Sequence, residues 1–399
     1  MTLATLPGQT IFIAQFNTAL RGEFGLSHGE FGGLYTIATM ASAFTLVFAG
    51  VLADRFGPRM LATISMLGLA ATALLMASLG NIVLLVVGLA LLRFFGQGML
   101  SHIAMTTMSR WFNRFRGRAL SFAGLGYTLG DATLPFIVTL AILSFGWRNV
   151  WLATAVVMVT VTIPLILFLL RDPPDGKRAK RDGLVNPDAA LSTAPTGTGW
   201  TRAVVLRDPL FWLIIPGIMA PPAIGTLFIF HQAHLAELKG WGLTTFTAFF
   251  PFLSVTVVLT ALFAGALVDR FGAFRVMPVV LLPLGVAGLL IGTLSPEWTI
   301  PLIFIAMGLT QGMMNPIVGA LWVEMYGTAH IGGIRAIATA ALVAASALGP
   351  GISGALIDLG VELDLQAFGY AAYCGIGAVT YVLLQRRFKA RHHSLLATA

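Results

Sequence analysis

Apolar stretches of about 20 residues recur along almost the whole chain, and each is long enough to cross roughly 30 Å of hydrocarbon as a helix. Only 10% of the 399 residues are charged and 57% are hydrophobic, whereas a soluble domain carries about 25% charged residues. The stretches cover residues 2–21, 29–53, 60–79, 82–108, 119–143, 149–170, 209–236, 243–268, 275–294, 299–325, 333–357 and 366–385. The sequence therefore predicts an all-α membrane protein with twelve transmembrane helices.

One long polar segment, residues 171–208, interrupts this series after the sixth stretch. Its Pro, Gly, Thr and charge content is typical of a flexible linker. We therefore predict an N-terminal six-helix bundle over residues 1–170, a linker over 171–208, a C-terminal six-helix bundle over 209–385 and a tail over 386–399.

The loop charges indicate the orientation of these helices. Twenty Lys and Arg residues fall on the side that holds the linker and the tail, whereas only Arg21, Arg148 and Lys239 fall on the opposite side. Cytoplasmic loops carry this kind of excess. Both termini and the linker are therefore expected to be cytoplasmic.

The first predicted span is unusually polar, since it contains Pro7, Gln9, Gln15 and Asn17 and starts almost at Met1. Two interpretations remain open: a polar helix that lines a pore, or a helix whose opening turns are missing from this chain. No removable signal peptide is apparent at the N-terminus.

A charged loop motif occurs twice, about 215 residues apart, between an apolar stretch and the next. The first copy is Gly50–Arg59 and the second is Gly265–Arg275, and both contain the sequence Asp-Arg-Phe-Gly. A second pair of similar phrases, Gly96–Met99 and Thr310–Met313, lies 214 residues apart. Duplicated membrane-helix bundles are typical of secondary transporters.

These doubled loops resemble the signature between helices 2–3 and 8–9 of the major facilitator superfamily, and the resemblance covers essentially the whole chain. It implies two six-helix pseudo-repeats, alternating access and a monomer. Three local phrases look like bacterial members near the monocarboxylate and oxalate–formate branch: Pro7–Thr10, Phe145–Arg148 and Tyr326–His330. The glycine-rich antiporter signature of helix 5 is absent, which counts against a drug–proton antiporter.

The same resemblance implies a gate. Its charged loops form a latch between the halves, while an acid at the end of helix 10 pairs with loop arginines. The matching gating residues are Asp54, Arg55, Arg59, Asp269, Arg270, Arg275 and Glu324, with Arg335 as the nearby partner of Glu324. A simpler alternative is that the arginines only anchor the topology.

Charged residues inside the membrane are the strongest site candidates, because each costs about 2.5–3.5 kcal/mol to insert. Arg93 and Asp131 both fall near the middle of their spans. They are expected either to form a buried structural pair or to face the pore, where Arg93 would bind a carboxylate or phosphate. Asp131 and His102 are the candidates for proton coupling, and His231 and His234 are weaker ones.

Neutral polar side chains in the spans are suited to hydrogen-bonding a substrate or a neighbouring helix. The predicted substrate-binding set is Arg93, Gln97, Gln9, Tyr127, Gln311 and Asn315, and Gln15, Asn17 and Tyr35 have the same chemistry.

Several function classes lack their motifs in this sequence. It has no nucleophile elbow, phosphate-binding loop or metal-ligand spacing, so we expect no enzyme activity, no cofactor and no metal. The net charge of +8 follows membrane topology rather than a nucleic-acid-binding face. The absence of a glycosylation sequon and the family resemblance favour a bacterial inner (plasma) membrane protein.

The predicted function is secondary active transport, by alternating access, of a small organic anion such as a monocarboxylate, with proton coupling as a further expectation. The alternative is a proton-coupled exporter of drugs or metabolites. A transporter-like receptor is less favoured, because neither the linker nor the tail offers an appended domain. The expected partners are a small-molecule substrate, protons and the lipid bilayer.

Overall fold

The computed structural model describes residues 1–49, 56–111, 116–170, 200–327 and 330–397, and within these ranges the regular structure is entirely helical. Eleven helices there are long and apolar enough to cross a membrane. The helices are α1 (His28–Ala49), α2 (Pro58–Ala77), α3 (Ile82–Leu92, continuing through Arg93–Leu100 and Ser101–Trp111), α4 (Arg116–Phe145), α5 (Trp147–Val157, continuing through Met158–Thr162 and Ile163–Leu169), α6 (Pro209–Phe230), α7 (Phe250–Phe271), α8 (Ala273–Thr293), α9 (Thr299–Tyr326), α10 (Ile331–Asp358) and α11 (Leu363–Ala397). The all-α membrane fold is confirmed.

The predicted first span is not one continuous helix. Residues 3–24, here called the leading segment, consist of short pieces: a 3₁₀ helix Leu3–Gly8, an α-helix Thr10–Ile13, a 3₁₀ helix Ala14–Phe16 and an α-helix Asn17–Phe24. Pro7 lies inside the first piece, and Gln9 after it has extended backbone angles. Because proline lacks an amide hydrogen and glycine is a poor helix former, the Pro7–Gly8 pair breaks the helix here.

Other predicted boundaries differ at the ends of the chain halves. Helix α11 runs to Ala397 and includes most of the residues predicted as a tail after 385. A short helix, Arg202–Val205, lies within the predicted linker, and two more, Gln232–Lys239 and Leu243–Ala248, connect α6 to α7. Element ends are the least certain part of reading a periodic sequence, because hydrophobicity does not mark where a helix leaves the membrane.

Two hydrophobic cores organise the bundle. One is built almost entirely from residues up to 170 and the other almost entirely from residues after 204. The exceptions are Leu6 and Ile11, which join the second core, and Phe230, which joins the first. Phe230 lies against Tyr35 of α1, and Leu6 packs against Gly130 of α4.

Large apolar side chains also cover the outside of the bundle. Phe44, Phe48, Leu262 and Phe263 are each more than 60% exposed. Such a surface is unfavourable in water and is the expected one for helices surrounded by lipid. The chain is an integral membrane protein.

The two cores meet along two pairs of helices, α1 with α10 and α4 with α7. Helix α1 runs antiparallel to α10, because Gly29 lies against Ala355 while Gly32 lies against Pro350 and Gly351. Glycine at these positions lets the two backbones approach closely, as small residues do in membrane helix pairs. The end of the bundle that contains His28 and Asp358 is called the Asp358 end below, and the opposite end, with the start of α2, is called the Arg59 end.

Candidate functional site

The helix break in the leading segment creates the central feature of the candidate site. Helix α3 passes so close to Gly8 that a Cβ there would meet the Leu92 carbonyl oxygen and the Gly96 Cα at 2.2 and 2.7 Å. Because the helix is interrupted here, the Gly8 carbonyl has lost its helical amide donor. It accepts a hydrogen bond from Arg93 Nη1 at 3.3 Å instead. Broken helices that present free backbone groups near mid-membrane are how many transporters build their sites.

Arg93 is 3% exposed and begins a π-helical stretch, Arg93–Leu100. Its Nη1 also donates to Thr10 Oγ1 at 3.2 Å, and Thr10 Oγ1 is 2.7 Å from the Tyr35 hydroxyl. The guanidinium carbon lies 5.5 Å from the centroid of the Tyr35 ring, within cation–π range. All of these neighbours are neutral.

The charge of Arg93 is therefore not matched by a carboxylate among the residues the structure describes. Its Nε is buried and has no hydrogen-bond partner. A buried, unpaired cation is costly unless something supplies the missing charge and acceptors. The arrangement leaves donors of the guanidinium available for an anion.

Asp131 lies on α4, where small residues allow the leading segment to pack. A Cβ on Gly126 would meet Thr2 Oγ1, and one on Gly130 would meet the Leu6 side chain. Asp131 itself is half-buried, and no ion pair joins it to Arg93 within the described ranges. The alternative in which these two charges form a structural pair is therefore not what the structure has.

The remaining predicted binding residues occupy different environments. Gln9 is half-buried and its Nε2 lies 3.4 Å from Thr5 Oγ1, while Gln97 is exposed. Tyr127 and Gln311 are half-buried and Asn315 is exposed. Their role in binding stays a prediction.

His102 is exposed, whereas Arg93 on the same helix is buried. Nine residues correspond to about two and a half turns of a regular α-helix, which puts the two side chains on opposite faces, and the π-helical stretch also lies between them. A π-helical turn contains more residues than an α-helical turn, so it shifts the faces that follow.

The predicted gating residues are partly outside the described residues, since Asp54 and Arg55 fall there. Those that are described lie exposed at the Arg59 end: Arg59, Asp269, Arg270, Arg275 and Arg335. The Arg270 guanidinium lies 5.3 Å from the Phe271 ring centroid, and Gly265 has open space where a Cβ would be. Within the described part of the chain, no ion pair joins the two cores at this end.

Glu324 has a different partner from the one predicted. Its carboxylate accepts hydrogen bonds from the backbone amides of Ala273 at 2.7 Å and Phe274 at 3.3 Å, which begin α8. Arg335 instead donates to the Gly319 carbonyl at 2.7 Å. The expected pair of Glu324 with Arg335 is corrected to an acid that caps a helix N-terminus, where unpaired amides and the helix dipole favour a negative charge.

Sequence reasoning missed the contacts that close the Asp358 end. The Asp358 carboxylate accepts from Ser27 Oγ at 2.6 Å, from the Gly29 amide at 2.8 Å and from the His28 amide at 3.1 Å. It therefore caps α1 from a different part of the chain. An acid at the end of a span, beside the Leu359–Gly360 turn, was the available signal.

Two further bonds hold the same end together. Thr36 Oγ1 donates to the Ala347 carbonyl at 2.7 Å, and Asn17 Nδ2 donates to the Phe230 carbonyl at 2.9 Å. Phe230 also packs on Tyr35, with ring centroids 4.6 Å apart. Tyr35, whose ring lies next to the Arg93 guanidinium, therefore contacts Phe230 at the closed interface.

Comparison with known proteins identifies the chain's relatives. The Probable sulfoacetate transporter SauU of Cupriavidus necator is 22% identical over 385 residues, covering 92% of this chain and 87% of that protein. The Oxalate:formate antiporter of Oxalobacter formigenes is 24% identical over 65% of this chain and 59% of the antiporter. The Probable L-galactonate transporter of Escherichia coli is 29% identical, but the match spans only 37% of this chain and 32% of that protein.

Solved structures give the same fold. A bacterial homolog of the human lysosomal transporter Spinster, in an inward-facing and occupied conformation, superposes with a TM-score of 0.68 at 15% identity, covering 96% of this chain and 94% of that one. The nucleoside transporter NupG gives a TM-score of 0.69 at 15% identity over 98% and 97% of the two chains. The sequence model of the Major Facilitator Superfamily matches residues 1–350 and 252–395. The chain belongs to the Major Facilitator Superfamily of membrane transporters, as its duplicated loops had indicated.

Proposed function

We propose that this protein is a secondary active transporter of a small organic anion, with Arg93 as the group that binds the anion's negative charge. The single observation that carries the proposal is the uncompensated burial of Arg93 beside a helix break. A carboxylate or a sulfonate offers the missing charge and two or more acceptor oxygens to the guanidinium fork.

Two relatives are named for substrates of this class, since sulfoacetate and oxalate are small organic anions. The predicted companions of Arg93 in the site are Gln9, Gln97 and Tyr127 from the first half, with Gln311 and Asn315 from the second. Their polar groups would bind the rest of the substrate and fix its orientation. Asp131 and His102 remain the proposed proton carriers.

Transport is proposed to proceed by alternating access between two rigid bundles, residues 1–170 and 209–385. The separate hydrophobic cores support that division. With both termini in the cytoplasm, as the loop charges predict, the Asp358 end would face the periplasm. The structure would then represent an inward-facing state in which the periplasmic side is sealed by α1 against α10.

The gating residues act, in this proposal, in the opposite state. Asp54, Arg55, Arg59, Asp269, Arg270 and Arg275 would join across the Arg59 end when that end closes, while Glu324 keeps α8 in place. Exposed, unpaired side chains at that end, among those the structure describes, are what this scheme requires of an inward-facing state. We further propose that the protein acts as a monomer in a bacterial inner membrane.

The test is uptake into proteoliposomes of a labelled panel of small carboxylates, sugars and cationic drugs, with and without an inward proton gradient. Uptake of one or more carboxylates that rises with the gradient is expected. If no carboxylate is taken up while drugs move in a proton-dependent way, the anion proposal is overturned in favour of a drug or metabolite exporter.

A further inference from the structure

Three histidines meet where the two cores close at the Asp358 end. His28 begins α1, His231 directly follows α6, and His234 lies on the short helix Gln232–Lys239. The ring centroids of His28 and His234 are 4.2 Å apart, and those of His28 and His231 are 5.7 Å apart. One ring comes from the first half and two from the second, so the cluster spans the interface that must separate when this end opens.

The cluster has an acceptor for one added proton. His234 Nε2 lies 2.8 Å from Glu362 Oε2, which can hold a protonated imidazole as a short ion pair. His234 is partly exposed, so a proton can reach it while the end is closed. A first proton is therefore compatible with the packing seen here.

A second proton has no such acceptor. His231 is 1% exposed, and its Nε2 is engaged with the Pro350 carbonyl at 3.0 Å. The Nδ1 atoms of His28 and His231 are both buried with no hydrogen-bond partner. Protonation of either atom would create a buried donor with nothing to accept it, next to a second positive ring.

The charged groups around the cluster do not change this conclusion. They come from every element that packs against it: Arg21 on the leading segment, Glu30 on α1, Glu237 and Lys239 on the short helix, Asp358 on α10, and Glu362 and Asp364 beyond it. The Asp358 oxygens already accept from Ser27 and from two backbone amides, and Lys239 lies 4.0 Å from Asp364. Arg21 adds positive charge beside His28, and this repulsion is larger than the opposing attraction of the Asp358 carboxylate.

We propose that His28, His231 and His234 form a proton-binding site whose second proton opens the Asp358 end. The first proton converts His234 to an imidazolium that pairs with the Glu362 carboxylate, and the second, on His28 or His231, drives α1 away from α6 and α10 by repulsion of like charges. No group of three or more His, Cys, Asp or Glu side chains in the described part of the chain is placed to hold a metal ion, so the cation assigned here is the proton. The role given to opening rests on the proposed transport function, and the site is separate from Asp131 and His102.

Distances between spin labels across this end test the proposal without any substrate. The chain has a single cysteine, Cys374, so Cys374→Ala provides a background for labels at Gly22→Cys and Leu359→Cys. A Cβ on Gly22 meets nothing within 4 Å, and Leu359 is 79% exposed. Electron–electron double resonance in nanodiscs at pH 8 is expected to give one short distance, and a longer population is expected to grow as the pH falls to 5.

The histidine variants decide whether these rings are responsible. His28→Gln and His231→Gln should each shift the pH at which half of the longer population appears, and the double variant, which lacks both sites for the second proton, should remove the response. His330→Gln, which changes an exposed histidine at the Arg59 end, should leave the response unchanged. A wild-type distance that does not change with pH, or an unchanged response in the double variant, would overturn the proposal. Thermal unfolding of each variant verifies that it is folded before its distances are read.

The result is separable from the transport proposal. A distance independent of pH, together with carboxylate uptake that depends on Arg93, would remove this proton site and leave the anion transporter standing. Opening that depends on the histidines, without any carboxylate uptake, would retain the proton site and remove the substrate assignment.

Discussion

Replacing Gly32 by alanine is expected to open the Asp358 end, because Gly32 lies at a close approach of α1 to α10. A Cβ at this position would meet the Pro350 carbonyl oxygen at 2.5 Å and the Gly351 Cα at 3.0 Å. Both atoms belong to the backbone of α10, which cannot move aside as a flexible side chain can. The closed interface must therefore loosen.

The neighbouring glycine provides a matched control. A Cβ on Gly33 would meet nothing within 4 Å, although Gly33 lies in the same helix. Each Gly→Ala change gains about 0.5–1 kcal/mol of helix stability, so this gain cancels when the two variants are compared. The difference that remains is the cost of overpacking the interface, about 1–3 kcal/mol.

That cost acts on the closed state alone, so it changes the ratio of open to closed molecules. At about 1.4 kcal/mol per factor of ten, the ratio should rise about 5- to 140-fold in Gly32→Ala relative to Gly33→Ala. Double resonance distances between labels at Gly22→Cys and Leu359→Cys, measured at pH 8, report this ratio directly. Identical distance distributions for the two alanine variants would refute the claim that close packing of α1 on α10 holds this end shut.

Three further changes probe other parts of the structure. Gly8→Ala would force the leading segment away from α3, and it should lower the free energy of unfolding by about 1–3 kcal/mol; Gly22→Ala is the control, and equal melting temperatures would contradict the packing described. Asp358→Asn removes the carboxylate that caps α1 and should lengthen the distance across that end; an unchanged distance would show that the cap is dispensable. The bonds that the Arg148 side chain donates hold the pKa of Glu23 below its usual value. A lowered acid pKa stabilises the fold above the unfolded pKa and loses that effect as the pH falls through the folded one. Arg148→Gln should therefore melt at a lower temperature than the wild type near neutral pH, and the two melting temperatures should converge in acid. A difference that persists in acid would argue against this ion pair as its source.

The membrane fold and the family could be predicted because their signals are repeated along the chain. Apolar stretches of membrane-spanning length recur throughout, and the loop motif occurs twice at equivalent places. Lipid as a solvent allows few architectures, since every backbone amide and carbonyl must be satisfied within the protein. Composition and spacing therefore determined much of the fold.

The helix break at Pro7–Gly8 was only half visible in the sequence. The polar residues and the proline marked the first span as unusual, but nothing local indicated that the Gly8 carbonyl would accept from Arg93. That bond depends on the packing of two glycines, Gly8 and Gly96, that are far apart in the chain. Close contacts between residues that are far apart in the sequence produce no periodic pattern in the sequence.

The contacts that close the Asp358 end were missed for a similar reason. The sequence drew attention to the conspicuous charges at the Arg59 end, whereas the described interface is closed by Asp358, by backbone carbonyls and by glycines at the other end. Small residues are common in membrane helices, so the packing role of a glycine is recognised only when the helix that contacts it is known. The partner of Glu324 was wrong because a helix N-terminus attracts an acid as well as an arginine does.

The central claim is that Arg93 binds the transported anion, and the most direct measurement is the concentration dependence of uptake for a carboxylate accepted by the wild type. Arg93→Lys keeps the positive charge but replaces the guanidinium fork by a single ammonium, and Arg207→Lys makes the same change at an exposed position. The account predicts that KM rises about 10- to 100-fold in Arg93→Lys, the equivalent of about 1.4–2.8 kcal/mol, and stays unchanged in Arg207→Lys. Wild-type KM and maximal rate in Arg93→Lys, and in Arg93→Gln as well, would contradict it.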